Sequence, residues 1–342
     1  DRDVTGVQTC ALPIYVTGVV QNSATSGMSL TASNAYTGAT TVSAGQLTLG
    51  HATNTLADVS TLIVNGGTLD LGGNADTVAG VQLVSGTIQN GTLTSTTTYD
   101  LQSGTVSAAL AGTVGMNKTT AGALTLSNTS SSFTGAVNLS AGTTNVAGIA
   151  NAGANSSLGA GGSITLGGGS AATLAYSGTT ASTDKTLTVG GAGGGTLQVT
   201  SAAQNLTMAG TVTATAGTLS LAGGTSSINL NNTSNDFGTV SVTSGNAISV
   251  VDANAMTLGA VNATSLTART LSNNLTLGGN ITATGGGDSV VLAAAGNFIN
   301  TGSYAINPGT GRWLIYSTNP ASDTRSEEHT SELQSHHDLV CR

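Results

Sequence analysis

The chain has 342 residues with a formal net charge of -8; 49 residues are Gly, 3 are Pro, and only 6% are charged. The 38% hydrophobic content excludes a disordered chain, and the scarcity of Pro excludes collagen. The acidic balance argues against a nucleic-acid partner, which requires clustered Lys and Arg. No apolar run approaches the roughly 20 residues of a membrane-spanning helix. Abundant Gly, Thr, Ser and Asn between regularly placed Leu, Val and Ile indicate many short strands joined by tight turns.

The two ends of the chain, residues 1–14 and 325–342, differ in composition from everything between them. Residues 15–324 contain no Glu and no Cys, whereas the ends hold all three Glu and both cysteines. Both end segments resemble translated sequencing-adapter sequence. We therefore expect them to be non-native, and the chain to be a fragment of a longer protein.

Two other interpretations of these ends are weaker. Cys10 and Cys341 cannot form a disulfide if the molecule is elongated, because they would lie too far apart. His329, His336 and His337 could bind a metal, but no second cluster of ligands exists elsewhere in the sequence. We predict no metal site and no cofactor.

The first regular pattern lies between residues 36 and 73. Apolar-polar-apolar triplets such as Leu47-Thr48-Leu49 and Leu69-Asp70-Leu71 alternate with Gly, Asn and Ser. Each triplet predicts a short strand with two residues facing a core. We assign Leu47, Leu49, Leu69 and Leu71 to the interior and Asp70 to the plain outer surface. Leu69→Asp should then unfold the surrounding structure, and Asp70→Ser should be nearly silent.

A longer repeat is laid over this short one. The segment around Tyr36 and Gly45 recurs around Phe133 and Gly142, and more weakly around Phe237, at intervals of about 100 residues. Short strands are also predicted between and beyond the copies, at residues 81–84, 86–88, 91–94, 99–102, 105–108, 185–190, 196–200, 206–208, 218–221, 256–258, 275–277 and 289–292.

Strands of three to five residues are too short for a good sandwich but suit a parallel β-helix. About 20 residues would form each circuit, and stacked circuits would give about fifteen in all. We predict an all-β fold, a parallel β-helix or β-solenoid of short strands and Gly/Asn turns. Its repeat region should span residues 15–252 and its terminal part residues 253–324.

Two segments carry a family resemblance. Residues 36–50, YTGATTVSAGQLTLG, and 67–74, GTLDLGGN, resemble the autotransporter-associated β-strand repeat of bacterial surface proteins. Residues 296–320, GNFINTGSYAINPGTGRWLIYSTNP, are similar to the end of the β-helical part of filamentous-haemagglutinin-type large exoproteins. The resemblance implies a right-handed parallel β-helix at the surface of a Gram-negative bacterium, or secreted from it. It also implies an outer-membrane secretion partner or barrel, and a host or neighbouring-cell surface glycan or protein as the target.

Candidate catalytic groups are sparse. Asp58, Asp70 and Asp76, with His51 nearby, form the densest acidic group, and paired carboxylates can act as acid and base. No Arg or Lys lies near them in sequence, so we expect no catalytic residues. The glycines at 167–169 and 190–195 precede no predicted helix, so an anion site at a helix terminus has no basis there. Residues 72–76 faintly resemble a calcium-binding nonapeptide, but we expect a plain turn.

Trp313 and Tyr316 form the one aromatic cluster that the sequence suggests. They are weak candidates for a sugar or protein contact, and packing that closes the end of the helix is the favoured interpretation. The function that we predict is a structural stalk or adhesin fragment without catalysis. The alternatives are a carbohydrate-active β-helix enzyme and a stalk that delivers a downstream effector.

Overall fold

The computed structural model describes residues 16–325 of the chain. Its strands pair in parallel and wind into a β-solenoid of about 14 circuits, here called rungs. Within these residues the single helix is a short 3-10 turn at Pro320–Ser322. The predicted all-β parallel solenoid is confirmed, and the rung count is close to the expected value. Cys10, Cys341, His329, His336 and His337 lie outside the described residues, and so do both adapter-like segments apart from Arg325.

Each of the first four rungs contains one long strand that bends through the corners. Each of the next three rungs contains two or three short strands. The strands of these seven rungs are β1 (Val19–Leu30), β2 (Thr40–Leu49), β3 (Thr61–Val78), β4 (Gly80–Ser95), β5 (Tyr99–Leu101), β6 (Gly104–Val106), β7 (Ala109–Ala111), β8 (Met116–Lys118), β9 (Ala123–Leu126), β10 (Val137–Leu139) and β11 (Gly142–Val146). The predictions missed β1, because residues 19–30 contain few apolar residues.

The last seven rungs add a separate seven-stranded sheet to the 22-stranded sheet that runs through the molecule. The strands are β12 (Ser163–Leu166), β13 (Ala172–Tyr176), β14 (Ala181–Thr183), β15 (Thr186–Val189), β16 (Gly195–Val199), β17 (Asn205–Met208), β18 (Val212–Ala222), β19 (Ser227–Leu230), β20 (Asp236–Ser244), β21 (Ala247–Asp252), β22 (Met256–Ala263), β23 (Ser265–Thr270), β24 (Leu275–Leu277), β25 (Ile281–Ala283), β26 (Asp288–Ala293), β27 (Phe298–Ile299), β28 (Ile306–Asn307) and β29 (Arg312–Tyr316). The smaller sheet takes one strand from each rung and runs from β14 to β29. Pairing continues across the predicted boundary at residue 252, since β21 pairs with β23.

The core consists of apolar side chains stacked on equivalent residues of the next rung. Leu47, Leu49, Leu69 and Leu71 are each 0% exposed, as predicted. Residue-by-residue register continues one such column through nine rungs: Met28, Leu47, Leu69, Ile88, Val106, Leu126, Val146, Tyr176 and Val199. Because no rung buries its apolar side alone, each depends on its neighbours for stability.

The aromatic residue that marks each copy of the longer repeat lies in the core. Tyr36, Phe133 and Phe237 are all buried. Gly45 and Gly142 follow at equivalent corners, where φ is 64° and 69°. A side chain at Gly45 would place its Cβ 2.0 Å from the carbonyl oxygen of Ser23 in the preceding rung. The corner therefore requires glycine for its left-handed backbone and for the close approach of the two rungs.

Candidate functional site

Asp70 was expected on the plain outer surface, and this prediction is wrong. Its side chain is only 9% exposed, because donors from neighbouring rungs enclose the carboxylate. Gln89 and Asn90 donate to Oδ2 across 2.9 and 3.1 Å, and the Gly72 amide donates to Oδ1 across 2.8 Å. Burial alone would raise the pKa of Asp70, but these hydrogen bonds outweigh it and lower the pKa. The Asp70 carboxylate therefore links its rung to the next one by accepting these hydrogen bonds.

Asp76 is also buried and hydrogen-bonded, but its pKa shifts in the opposite direction to that of Asp70. It is 3% exposed and accepts hydrogen bonds from the amides of Leu56, across 3.1 Å, and Thr77, across 2.9 Å. Burial raises its pKa, despite these hydrogen bonds, and the charge of Asp58 raises it further. Asp76 therefore holds the loop between β2 and β3 in place.

His51 and Asp58 complete the acidic group that the sequence singled out. Both lie in the loop between β2 and β3, where His51 Nδ1 is 2.5 Å from the Thr53 carbonyl oxygen and Asp58 is exposed. The carboxylates of Asp70 and Asp76 are engaged by separate sets of donors rather than by one another. No group of three or more His, Cys, Asp or Glu able to hold a metal occurs from residue 16 to residue 325.

The glycine-rich segments form corners. The amides of Gly167 and Gly190 donate to the carbonyl oxygens of Leu139 and Leu166 in the preceding rungs, across 2.8 and 2.9 Å. The Gly193 amide likewise donates a hydrogen bond to the Gly168 carbonyl oxygen. These donors are committed to the solenoid backbone and are not arranged to cradle a phosphate. Gly72 and Gly73 form a left-handed bend within β3, with φ of 62° and 82°.

Two lysines lie in the interior, which sequence reasoning did not predict. Lys118 and Lys185 are 0% exposed and direct their ammonium groups at backbone carbonyl oxygens of nearby corners. Burial lowers the pKa of both. Strand register explains the position of Lys118, because Met116-Asn117-Lys118 pairs with Val137-Asn138-Leu139 and Lys118 stands beside the buried Leu139. These two cations cap corners and cannot reach a ligand outside.

Trp313 and Tyr316 do not form one cluster, because they lie three residues apart on β29 and so project to opposite faces of the sheet. Trp313 pairs with the buried Val290, is half-buried, and packs against the core. Tyr316 pairs with Ala293 and lines an open groove on the outside. The close aromatic pair in the described chain is instead Tyr99 and Phe133, whose ring centroids are 6.0 Å apart.

The groove beside Tyr316 has a volume of about 630 Å³ and crosses three rungs of the smaller sheet. One outward column of that sheet, Arg269, Ala293 and Tyr316, runs through it in register. Val291 and Ala293 line it as half-buried residues, and the hydroxyl-bearing residues Thr267 and Thr318 line it as exposed ones. The groove combines an aromatic ring, a cation, hydroxyl groups and short aliphatic side chains.

A smaller groove of about 320 Å³ crosses β3 and β4 near Ile63. Its charged group is the carboxylate of Asp100, which accepts hydrogen bonds from Gln82 and Gln102 across 2.8 and 2.9 Å. The two grooves therefore differ in the sign of their charge. No helix among residues 16–325 has the length and apolar character to cross a membrane.

Comparison with known proteins adds one informative similarity. The chain is 33% identical over 226 residues to the adhesin BmaC autotransporter of Brucella suis biovar 1 (strain 1330). The matched part covers 60% of this chain and 6% of that relative, so the chain spans a small part of the relative's length. No family model and no solved structure matches the chain. The similarity and the parallel solenoid together fit an autotransporter-type β-helical passenger fragment.

Proposed function

We propose that this chain is a rod-like segment of a secreted bacterial adhesin, in which it acts as a non-enzymatic stalk and carries adhesive surfaces. The observations that carry the proposal are the 33% identity to an autotransporter adhesin over 226 residues and the continuous parallel solenoid that the chain forms. The alternative of a carbohydrate-active enzyme gains no support from Asp70 and Asp76, whose carboxylates are occupied by structural hydrogen bonds.

A parallel solenoid has the mechanical properties of a spacer. Each rung adds about 4.8 Å of length, and the same backbone pairing holds every rung to the next. Residues 15–324 contain no cysteine, which agrees with export of an unfolded chain across the outer membrane, since a disulfide would hinder threading. We place the protein at the bacterial cell surface or outside the cell, exported through an outer-membrane secretion partner or barrel.

The target that we propose is a glycan or protein on the surface of a host cell or a neighbouring cell. Fluorescent beads coated with the 342-residue chain should adhere to such cells more strongly than beads coated with the Leu69→Asp variant, whose core is disrupted. Electron micrographs of the same preparation should show rods. Equal adherence of the two kinds of bead would contradict the adhesive role, and a compact particle would contradict the stalk.

The enzymatic alternative has its own test. The chain is incubated with a panel of acidic and neutral polysaccharides, and released reducing ends or unsaturated products are measured. We expect no turnover. Product formation that disappears in the Asp58→Asn or Asp76→Asn variant would establish the alternative and overturn the non-enzymatic role.

A further inference from the structure

The groove between Arg269 and Tyr316 contains an unpaired positive charge in an acidic protein. The described residues include five Lys and Arg, of which Lys118 and Lys185 are buried. Arg312 and Arg325 form ion pairs with Asp288 and Asp323. Arg269 is exposed and forms no ion pair with any residue from 16 to 325. Its guanidinium is therefore available to an anionic partner, and the five N–H donors of such a group suit a carboxylate.

The position of Tyr316 sets the length of that partner. Arg269, Ala293 and Tyr316 occupy one outward column on three successive strands, β23, β26 and β29. Two steps between neighbouring strands place the outer two residues about 10 Å apart. This is the length of roughly two linked pyranose rings, so one ring can lie on the phenol while the next directs a carboxylate at the guanidinium.

The rest of the groove favours a sugar over a peptide side chain. Val291 and Ala293, its half-buried aliphatic residues, have short side chains and do not form the kind of well-packed apolar pocket that anchors a large side chain. Thr267 and Thr318 also line the groove, and both residues are exposed. Hydroxyl groups with an aromatic ring match the alternating polar edge and apolar face of a pyranose. The volume of about 630 Å³ is that of a ligand site.

We propose that this groove binds an acidic oligosaccharide, with the carboxylate of a uronic-acid-type unit on Arg269 and the face of an adjacent ring on Tyr316. The proposal names a ligand class for the adhesive function above and rests on that function for its biological meaning. The groove lies on the outer wall of the solenoid, so stacking of further rungs on β29 would leave it accessible.

The probe is tetragalacturonate, compared by calorimetric titration with its methyl ester, which keeps the sugar rings and removes the charge. The intact 342-residue chain should bind the acid about tenfold or more tightly than the ester, as expected for a charge-assisted hydrogen bond. Arg269→Gln should reduce acid binding to the level of the ester, and Tyr316→Ala should weaken both. Arg312→Gln is the matched control and should leave binding unchanged, with circular dichroism confirming that each variant is folded.

Three results would overturn the proposal: equal binding of acid and ester, an equal loss in Arg269→Gln and Arg312→Gln, or no binding of the tetramer at all. Inorganic phosphate that competes as well as the tetramer would also overturn it, by reducing the site to a simple anion contact.

Bead adherence separates this proposal from the adhesive function. Tetramer binding without adherence would contradict the adhesive role alone, whereas adherence that Arg269→Gln leaves unchanged, with no tetramer binding, would contradict the groove alone.

Discussion

The amide of Phe237, at the start of a rung, donates a hydrogen bond across 3.1 Å to Oδ1 of Asp252, at the end of the same rung. The carboxylate thereby closes the rung on itself. It is 0% exposed, and its second oxygen has no hydrogen-bond partner among the described residues. Burial raises the pKa of Asp252 to about 6; the Phe237 amide opposes this shift and the nearby charge of Asp236 adds to it.

This pKa predicts a specific dependence of stability on pH. The folded-state pKa lies above the unfolded value of 3.8, so folding favours the protonated acid. The contribution of Asp252 to stability is therefore fully present below about pH 4 and is lost as the pH rises through about 6. Asp252→Asn should stabilise the protein at pH 7.5 by up to about 3 kcal/mol, and the gain should shrink as the pH falls toward 4.

Urea unfolding of the wild type and Asp252→Asn at pH 4, 6 and 7.5 measures this difference. Asp236→Asn is the comparison: it removes the neighbouring charge but leaves the buried acid in place, so its gain should be smaller than that of Asp252→Asn. A gain in stability that does not change with pH would show that Asp252 does not titrate in this range.

The carboxylate of Asp70 predicts the opposite dependence. Its pKa is lowered in the folded state, so its stabilising contribution is present above the unfolded pKa and is lost as the pH falls through the folded value. Asp70→Ser, expected to be silent from the sequence alone, should cost about 1–2 kcal/mol at pH 7, because Gln89, Asn90 and the Gly72 amide lose their acceptor.

Two variants calibrate that measurement by chemical denaturation. Thr188→Ser changes an exposed, outward residue of β15 and should lie within about 0.5 kcal/mol of the wild type. Leu69→Asp places a charge in the core beside Asp70 and should unfold its rung. If Asp70→Ser matched Thr188→Ser, the hydrogen bonds between rungs would contribute nothing measurable.

A corner can require glycine for its left-handed backbone or for the close approach of the neighbouring rung, and Gly45 and Gly73 distinguish these two reasons. Both have left-handed backbones, with φ of 64° and 82°. A Cβ at Gly45 would lie 2.0 Å from the Ser23 oxygen, whereas a Cβ at Gly73 has nothing within 4 Å. Gly73→Ala should therefore cost only the backbone strain of about 1–2 kcal/mol, and Gly45→Ala should cost clearly more. Thermal unfolding compares them, and equal losses would show that the first two rungs separate at no cost.

The hydroxyl of Tyr99 is predicted to hold three neighbouring segments together. It accepts hydrogen bonds from the amides of Ser95 and Ala111, across 3.0 and 3.2 Å, and lies 2.7 Å from the carbonyl oxygen of Leu93. Tyr99→Phe removes the acceptor of the buried Ser95 amide and the half-buried Ala111 amide and should cost about 1–3 kcal/mol, whereas Tyr316→Phe on the outer face should be nearly neutral.

Alkaline titration followed at 295 nm provides an independent measurement. Burial raises the pKa of Tyr99 to about 12, although hydrogen bonds from the Ser95 and Ala111 amides oppose the shift. Tyr99→Phe should therefore remove a phenol that ionises near pH 12 in the folded protein. Loss of a phase near pH 10 instead would place the Tyr99 hydroxyl in contact with solvent.

Local patterns predicted the fold because each rung repeats the same short-range rule. Leu69 and Leu71 face inward since strand side chains alternate, and no distant contact is needed to know it. The candidate site could not be predicted in the same way. Arg269, Ala293 and Tyr316 are adjacent only because β23, β26 and β29 stack in register, and nothing in the local sequence joins residues more than twenty positions apart.

The sequence by itself determined the architecture: short strands, glycine corners, stacked aliphatic columns, and a low charge that left few candidates for chemistry. The tertiary structure decided what each polar residue does. Asp70 is outward by alternation, yet Gln89 and Asn90 from the next rung enclose it. Lys118 occupies an apolar register position because a corner carbonyl receives its ammonium group. Alternation is a property of one strand, whereas enclosure depends on which side chains the neighbouring rungs bring to the same place.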